Sequence, residues 1–342
     1  MNHMKENRNF PKNNINREIR SSLIDLGSAT KVELSERLEI SFPTINKFLK
    51  KMESNGEIML VGLDDSSGGR RANRYAYRAD YMLGLAIFLE SNETNYVVFN
   101  CFGEVKDQGK IQSVLKDKDV LRLLLEIIED KVAKYPNLRS IAIGVPGAVE
   151  NGRIFYIPGY EHLQNFDLKK HLEEHFEITV VIENDMNAAV LGYHYKMNIK
   201  NNQSLIYLYS GQNGPGAGIM VNGDVVRGST FFSGEVSFIP QYNDQNFLTA
   251  LGNDFKKKSF NEHNEIDAVS RLVAAFVAII NPHTFIFCHD EATLDIIERI
   301  AKKSSTYIPA EHLPQLTVSD WKQDYLYGLQ HLCLEQMIST TE

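Results

Sequence analysis

Cysteine is scarce in this 342-residue chain: Cys101, Cys288 and Cys333 are the only three, widely spaced and odd in number. That excludes a disulfide framework and fits a reducing cytoplasm. Long apolar runs are missing too. The longest, Leu272 to Ile280, is too short to span a bilayer, and the polar start MNHMKENRNFPKNN has no signal-peptide core. A cytoplasmic protein without membrane contact is the expectation. Positive charge is not in excess, since 36 Lys/Arg face 44 Asp/Glu for a net −8, which excludes a generic polyanion-coating protein. Hydrophobic residues at 43% and charged residues at 23% exclude a disordered or collagen-like chain. What is present is enough for two or three cored domains.

The charge is unevenly distributed. Residues 1–78 hold 14 Lys/Arg against 10 Asp/Glu, a balance of +4, and the remaining 264 hold 22 against 34, or −12. A small basic head on a large acidic body points to a nucleic-acid-binding module carried by something else. Within the head, residues 1–14 read as a mobile arm. Ile15, Ile19, Leu23 and Leu26 then form a helical stripe that Gly27 stops. A second helix begins behind Thr30, with Glu33 placed for a capping box. A third begins behind Ser41, with Pro43 in its first turn. Two strand-like runs, Glu57–Leu63 and Arg74–Tyr77, flank a tip ending in Gly68-Gly69-Arg70-Arg71. This is the pattern of a winged helix-turn-helix over residues 15–78. The candidate DNA-binding residues are Ser41, Thr44, Asn46, Lys47, Lys50 and Lys51 on the third helix, with Arg70, Arg71 and Arg74 on the wing. Asn reads adenine edges, Lys holds phosphates, and wing Arg suits a narrow minor groove. Winged helices also mediate protein contacts, and exposed lysines also merely solvate a helix.

From Tyr81 the texture is α/β, with strands and amphipathic helices alternating to the C-terminal helix at Asp324–Met337. Two segments bear on chemistry. Glu183-Asn184-Asp185-Met186-Asn187 follows a strand, where a carboxylate faces the ligand crevice of an open sheet. Asp185 there is a general base toward a hydroxyl, a hydrogen-bond acceptor only, or a cap of the following helix. The run Gln212–Gly218 carries three glycines within five residues, which suits close approach of backbone to an anion or a plain hairpin.

In order and spacing these segments resemble the ROK family of bacterial sugar kinases and sugar-responsive repressors. The resemblance rests on Gly68-Gly69-Arg70 in the wing, Gly144-Val145-Pro146-Gly147 with Val149, Gly159-Tyr160 and Glu183-Asn184-Asp185-x-Asn187. It continues through Gly214–Gly218, Asn222-Gly223, Arg227-Gly228, Gly234-Glu235 and Asn281-Pro282. It implies a two-lobed, actin-like (ribonuclease H-like) ATPase fold over residues 79–342. One lobe is expected at about 79–200 plus the C-terminal helix, the other at 201–322. The resemblance implies a sugar effector held by Gly147, Ala148, Asn184, Asp185 and Glu235 in the crevice between lobes.

Four departures bear on activity. The family's first phosphate loop, Asp-x-Gly-Gly-Thr, is replaced by Leu89-Glu90-Ser91-Asn92-Glu93. That loop lacks glycine and sets two carboxylates where a triphosphate would be repelled. The second phosphate loop begins Gln212-Asn213 rather than Gly-Thr, and a Gly-Gly pair under the adenine is replaced by His289-Asp290. The family's zinc-binding His and cysteine cluster are also missing. Ser237-Phe238 follows Glu235-Val236, and no cysteine lies between Cys101 and Cys288. The expectation is therefore a non-enzymatic transcriptional repressor with no cofactor and no metal, in which Asp185 is a vestigial base. Its partners are operator DNA, a sugar or sugar derivative, and its own copies in a homodimer or homotetramer. A ligand-independent dimeric DNA-binding regulator and an active sugar kinase with a DNA-binding head are the alternatives.

Overall fold

A computed structural model describes residues 12–63, 71–211, 214–242, 244–252, 260 and 263–339. The chain opens with helix α1 (Lys12–Leu26), the short strand β1 (Ala29–Thr30), helices α2 (Lys31–Leu38) and α3 (Phe42–Ser54), and strands β2 (Ile58–Leu63) and β3 (Asn73–Tyr77). Strand β3 lies between β1 and β2, antiparallel to both. This is a winged helix-turn-helix. The helix α1 begins at Lys12, three residues before its apolar stripe. Residues 12–14 are therefore helical rather than part of an arm, and the rest of that expected arm lies outside the described residues.

The α2 capping box forms as its sequence dictates. Glu33 N–H donates to Thr30 Oγ1 at 3.2 Å, and Thr30 N–H donates to Glu33 Oε2 at 2.7 Å. Ser41 stands at the N-cap of α3 but makes no side-chain cap bond. Its hydroxyl instead pairs with Thr44 Oγ1 at 2.8 Å. Ile19, Leu23, Leu34, Ile45, Leu49 and Tyr77 close the core of this module.

The body repeats one architecture. In its first half, β4 (Leu83–Leu89), β5 (Glu93–Asn100) and β6 (Val105–Gln112) form an antiparallel meander. Helix α4 (Val120–Lys134) leads to β7 (Leu138–Val145). A small three-stranded sheet follows, with β8 (Ala148–Glu150), β9 (Arg153–Tyr156) and β10 (Phe166–Asp167). Helix α5 (Leu168–Phe176) precedes β11 (Thr179–Asn184) and α6 (Asp185–Lys196). The main sheet runs β11-β7-β4-β5-β6, with β4, β7 and β11 parallel.

The second half contains β12 (Leu205–Tyr209), β13 (Gly216–Val221), β14 (Asp224–Val225), α7 (Phe247–Ala250), α8 (His263–Ile279), β15 (Thr284–Cys288), α9 (Leu294–Ser304), β16 (Gln315–Ser319) and α10 (Trp321–Ser339). Its sheet runs β14-β13-β12-β15-β16, again with one meander and three parallel strands. Two sheets of matching order, each flanked by helices, make the expected two-lobed actin-like body. A ligand crevice belongs outside the carboxyl ends of the parallel strands.

The last helix ties the parts together. On the floor of the first sheet, Gly84 and Gly144 leave room for Cys333 and Tyr325 of α10. Against α6 the approach is backbone to backbone. A Cβ on Gly192 would lie 1.8 Å from the Asp324 carbonyl oxygen, and one on Gly328 would lie 1.9 Å from that of Ala188. At its far end α10 meets the winged helix. Arg17 pairs with Glu335 at 2.6 Å, and Arg20 donates to the Ile338 carbonyl at 3.2 Å while holding a buried ion pair with Glu57.

Candidate functional site

The outer face of α3 carries Lys47, Lys50 and Lys51, all exposed, with Ser41 exposed and Thr44 half-buried beside them. Asn46 is half-buried, and its Oδ1 accepts from Lys31 Nζ at 2.7 Å, so the amide is already oriented by a neighbour. Arg71 is exposed at the foot of the wing, while Arg70 and the Gly68-Gly69 tip lie outside the described residues. Arg74 is engaged within the module. It pairs with Glu33 at 2.7 Å and donates to the Ser28 carbonyl at 3.0 Å, bracing β3 against α2. Six of the nine sequence-derived positions thus sit on α3 or at its N-cap, and Arg74 braces that surface from inside.

Between the lobes lies a cleft of about 170 Å³. One wall comes from Pro146 and Gly147 after β7 and from Asn184 and Asp185 at the end of β11. The other comes from Gly214–Ala217, Gly234 and Glu235. Asn184 is the N-cap of α6. Its Oδ1 accepts from Met186 N–H at 2.9 Å and Asn187 N–H at 3.0 Å, and its Nδ2 donates to the Gly147 carbonyl at 3.0 Å. That overturns the capping alternative for Asp185: the cap is Asn184. Asp185 occupies the first helical position, with Oδ1 accepting from Met186 N–H at 2.8 Å. Glu183 is consumed by Arg227, Asn187 and the Asn184 amide. Ala148 is buried and faces a small adjoining recess shared with Asn187 and Arg227.

The electrostatics of this cleft are one-sided. Glu90, Asp185 and Glu235 all line it, and no Lys, Arg or His does so among the described residues. Burial pushes Asp185 up to about 7, and the neighbouring Glu235 and Glu90 carboxylates add to the rise. Burial raises Glu90 to about 7, with Lys322 partly opposing it, and raises Glu235. Like charges and poor solvation make each of these groups reluctant to ionise.

Where the resemblance implied nucleotide contacts, the chain's own side chains are in place. The Glu90 N–H donates to the Glu93 carbonyl at 2.9 Å, closing a tight β4–β5 turn. Of the two carboxylates expected beside a triphosphate, only Glu90 faces the cleft. Glu93 is ion-paired with Lys110 and with Lys322 at 2.7 Å, and these bonds overcome burial to hold it down at about 2. At the start of the glycine-rich turn, Glu291 accepts from Ser210 N–H at 3.0 Å and from Gly211 N–H at 3.1 Å. Burial raises Glu291 to about 8 despite those bonds. Trp321 stacks on Tyr209 with centroids 4.2 Å apart and planes at 24°. His289 and Asp290 face solvent and lie 3.1 Å from each other.

The structure thus gathers Gly147, Asn184, Asp185 and Glu235 round one cleft and sets Ala148 just behind it. Sequence reasoning missed Glu291, Trp321 and Lys322. Trp321 had a signal as the single tryptophan. Glu291 and Lys322 had none, because their partners are distant in sequence.

Residues 90–253 match the model of the ROK family. Over 240 residues it is 28% identical to the xylose repressor of Caldicellulosiruptor bescii, covering 68% of this chain and 59% of that protein. It is 25% identical over 226 residues to the DNA-binding transcriptional dual regulator NagC of Escherichia coli K12, covering 64% and 55%. The chain therefore spans less than two thirds of the length of these curated relatives. Among solved structures, it resembles a ROK family transcriptional regulator described as a homologue of the E. coli MLC protein. The TM-score is 0.71 at 18% identity, over 95% of this chain and 98% of that one. A ROK family glucokinase from Streptomyces griseus in complex with glucose and AMPPNP matches at a TM-score of 0.54 and 17% identity, over 73% and 99%. These structural likenesses show the fold. The two-lobed actin-like body is common to both, and of these two matches the regulator's extends over nearly the whole chain.

Proposed function

We propose that this protein is a sugar-responsive DNA-binding repressor whose body binds an uncharged carbohydrate without phosphorylating it. One juxtaposition carries the reading: a winged helix-turn-helix is joined to a cleft lined by three carboxylates and, among its described residues, no cation. Just ahead of the glycine-rich turn, the Ser210 and Gly211 N–H groups hold the Glu291 carboxylate, which adds a further negative group on that side. Among the described lining residues none is a cation, which favours a neutral sugar over a triphosphate or a sugar phosphate. Hydroxyls suit this lining. Asp185 and Glu235 each accept two hydrogen bonds from vicinal hydroxyls, and unmatched partners are costly, so the site discriminates stereochemistry. A volume of about 170 Å³ holds on the order of ten water-sized groups, the scale of one sugar ring. On this reading no phosphoryl donor shares the cleft, so Asp185 acts as an acceptor and not as a base.

On the DNA side, Lys47, Lys50, Lys51 and Arg71 neutralise phosphates and Asn46 reaches a base edge. A homodimer reads a pseudo-palindromic operator, because one small module buries too little surface for tight binding. The names of the repressor relatives support this reading. The test pairs two measurements on the full chain. Isothermal titration with Mg-ATP gives no heat and a coupled assay shows no sugar-dependent ADP release. A neutral-sugar panel shifts the melting temperature and changes affinity for an operator selected from random DNA. ATP-dependent formation of a sugar phosphate would overturn the proposal.

A further inference from the structure

The cleft has a second chemical character at its mouth. Phe238, 53% exposed, lines it together with Tyr156 of the opposite lobe. Phe232, 41% exposed, bridges the two, with ring centroids 5.4 Å from Phe238 and 6.3 Å from Tyr156. Solvent-exposed aromatics set in a row across a cleft are expensive to leave wet. The neighbouring Phe231 sits at φ +56°, a left-handed conformation rare for a bulky side chain, which the surrounding structure has to hold. Its ring packs edge-on against Phe155, 6.3 Å away.

The spacing of floor and mouth is set by a single turn. Glu235 stands at the N-cap position of the 3₁₀ turn Val236–Phe238, without a side-chain cap bond, so the backbones of Glu235 and Phe238 lie at opposite ends of the turn. At about 2 Å rise per residue they are offset by about 6 Å along the turn, close to the length of one sugar ring. From this we infer that the ligand is a glycoside of at least two sugar units. The first ring hydrogen-bonds to Asp185 and Glu235, and the second stacks its C–H face on Phe238 and Phe232. The exposure of the platform selects a sugar over an aryl group as the outer occupant. A ring there has one face on the aromatics and the other in water, and a pyranose has an apolar face and hydroxylated edges for that purpose. This inference rests on the reading of the cleft as a carbohydrate site.

The experiment is isothermal titration of the full chain with matched pairs: glucose and cellobiose, glucose and maltose, xylose and xylobiose, galactose and lactose. The 4-nitrophenyl glycosides of the same monosaccharides form a third arm. One disaccharide binds about tenfold or more tighter than its constituent monosaccharide, within the range of a ring stacked on an aromatic face. Phe238→Ala removes that advantage and Phe238→Tyr retains it, and both variants leave the melting temperature of the unliganded protein in place because the side chain is exposed. Equal affinity for one and two rings, or an equal loss for both in Phe238→Ala, overturns the second-ring assignment while the sugar site stands. Tighter binding of a nitrophenyl glycoside than of every disaccharide also overturns it. If no carbohydrate of either length binds, the effector reading itself fails, and this inference with it.

Discussion

Removing the arginine at the junction of the winged helix and the body is a severe test of how this module is held. Arg20 and Glu57 form an ion pair whose side chains are 4% and 3% exposed. Tyr77 Oη donates to the same Glu57 oxygen at 3.1 Å, and Arg20 donates onward to the Ile338 carbonyl. Arg20→Met leaves Glu57 buried with one neutral donor, for which breaking a buried pair costs about 3–5 kcal/mol. Losing the bond to Ile338 adds about 1 kcal/mol. In a module of this size each kcal/mol lowers the melting temperature by about 4–8 °C, so the winged helix melts in a separate, earlier transition. The double variant Arg20→Met, Glu57→Leu removes both charges and keeps the volume apolar. It gives up the Tyr77 and Ile338 bonds, about 1–2 kcal/mol together. Differential scanning calorimetry, with hydrogen exchange following the amides of α3, reads both variants. An Arg20→Met loss below about 1 kcal/mol would show the pair to be solvated and the argument wrong. So would a double variant as unstable as the sum of its singles.

Other outcomes follow from the same geometry. Lys47→Ala weakens DNA binding across all sequences and lowers the slope of log affinity against log salt by about 0.9 for each phosphate no longer neutralised, read by fluorescence anisotropy over a salt series. The raised Asp185, about 7, means that the folded protein holds a proton there that the unfolded chain has released; its contribution to stability is present below the ordinary carboxylate range and is lost as pH rises through 7. Sugar binding to the carboxylate runs the other way, strengthening from pH 6 to pH 8 in isothermal titration. In Asp185→Asn that dependence weakens along with the effector response, while operator affinity stays. Gly328→Ala drives a methyl into the Ala188 carbonyl at 1.9 Å, a backbone clash no rotamer relieves. It costs about 3 kcal/mol or more, seen as a fall in the denaturant midpoint.

Local chemistry made much of the fold readable. The Thr30 and Glu33 capping box, the helix Val120–Lys134 and the strand Thr284–Cys288 stand where their spacing places them, because each is decided by residues within one turn or one run. The edge strand β6 was illegible. Its residues Val105–Gln112 are mostly polar and exposed, and its register is set by β5, with Tyr96 packed over Gly109. The start of α10 was read at Asp324 and lies at Trp321, since its first turn is fixed by the stack on Tyr209 from the other lobe. In the site, Asp185 was visible because a strand end marks it, and Glu235 through the family resemblance. Glu291 was not, since its role comes from amides about 80 residues away in sequence.

The touching backbones of α6 and α10 restrict how this molecule can move. With Gly192 against the Asp324 carbonyl and Gly328 against that of Ala188, neither helix can slide or spin past the other. They travel as one beam. Asp185 and Trp321 stand at its cleft end, and Ile338 reaches the winged helix at the other. A 19-residue helix is about 28 Å long. Tilting such a lever by about 10° at the cleft carries its tip about 5 Å, roughly one helical turn. Under the proposed function, a small change in cleft closure is thereby geared up into a displacement large enough to take α3 out of register with a groove.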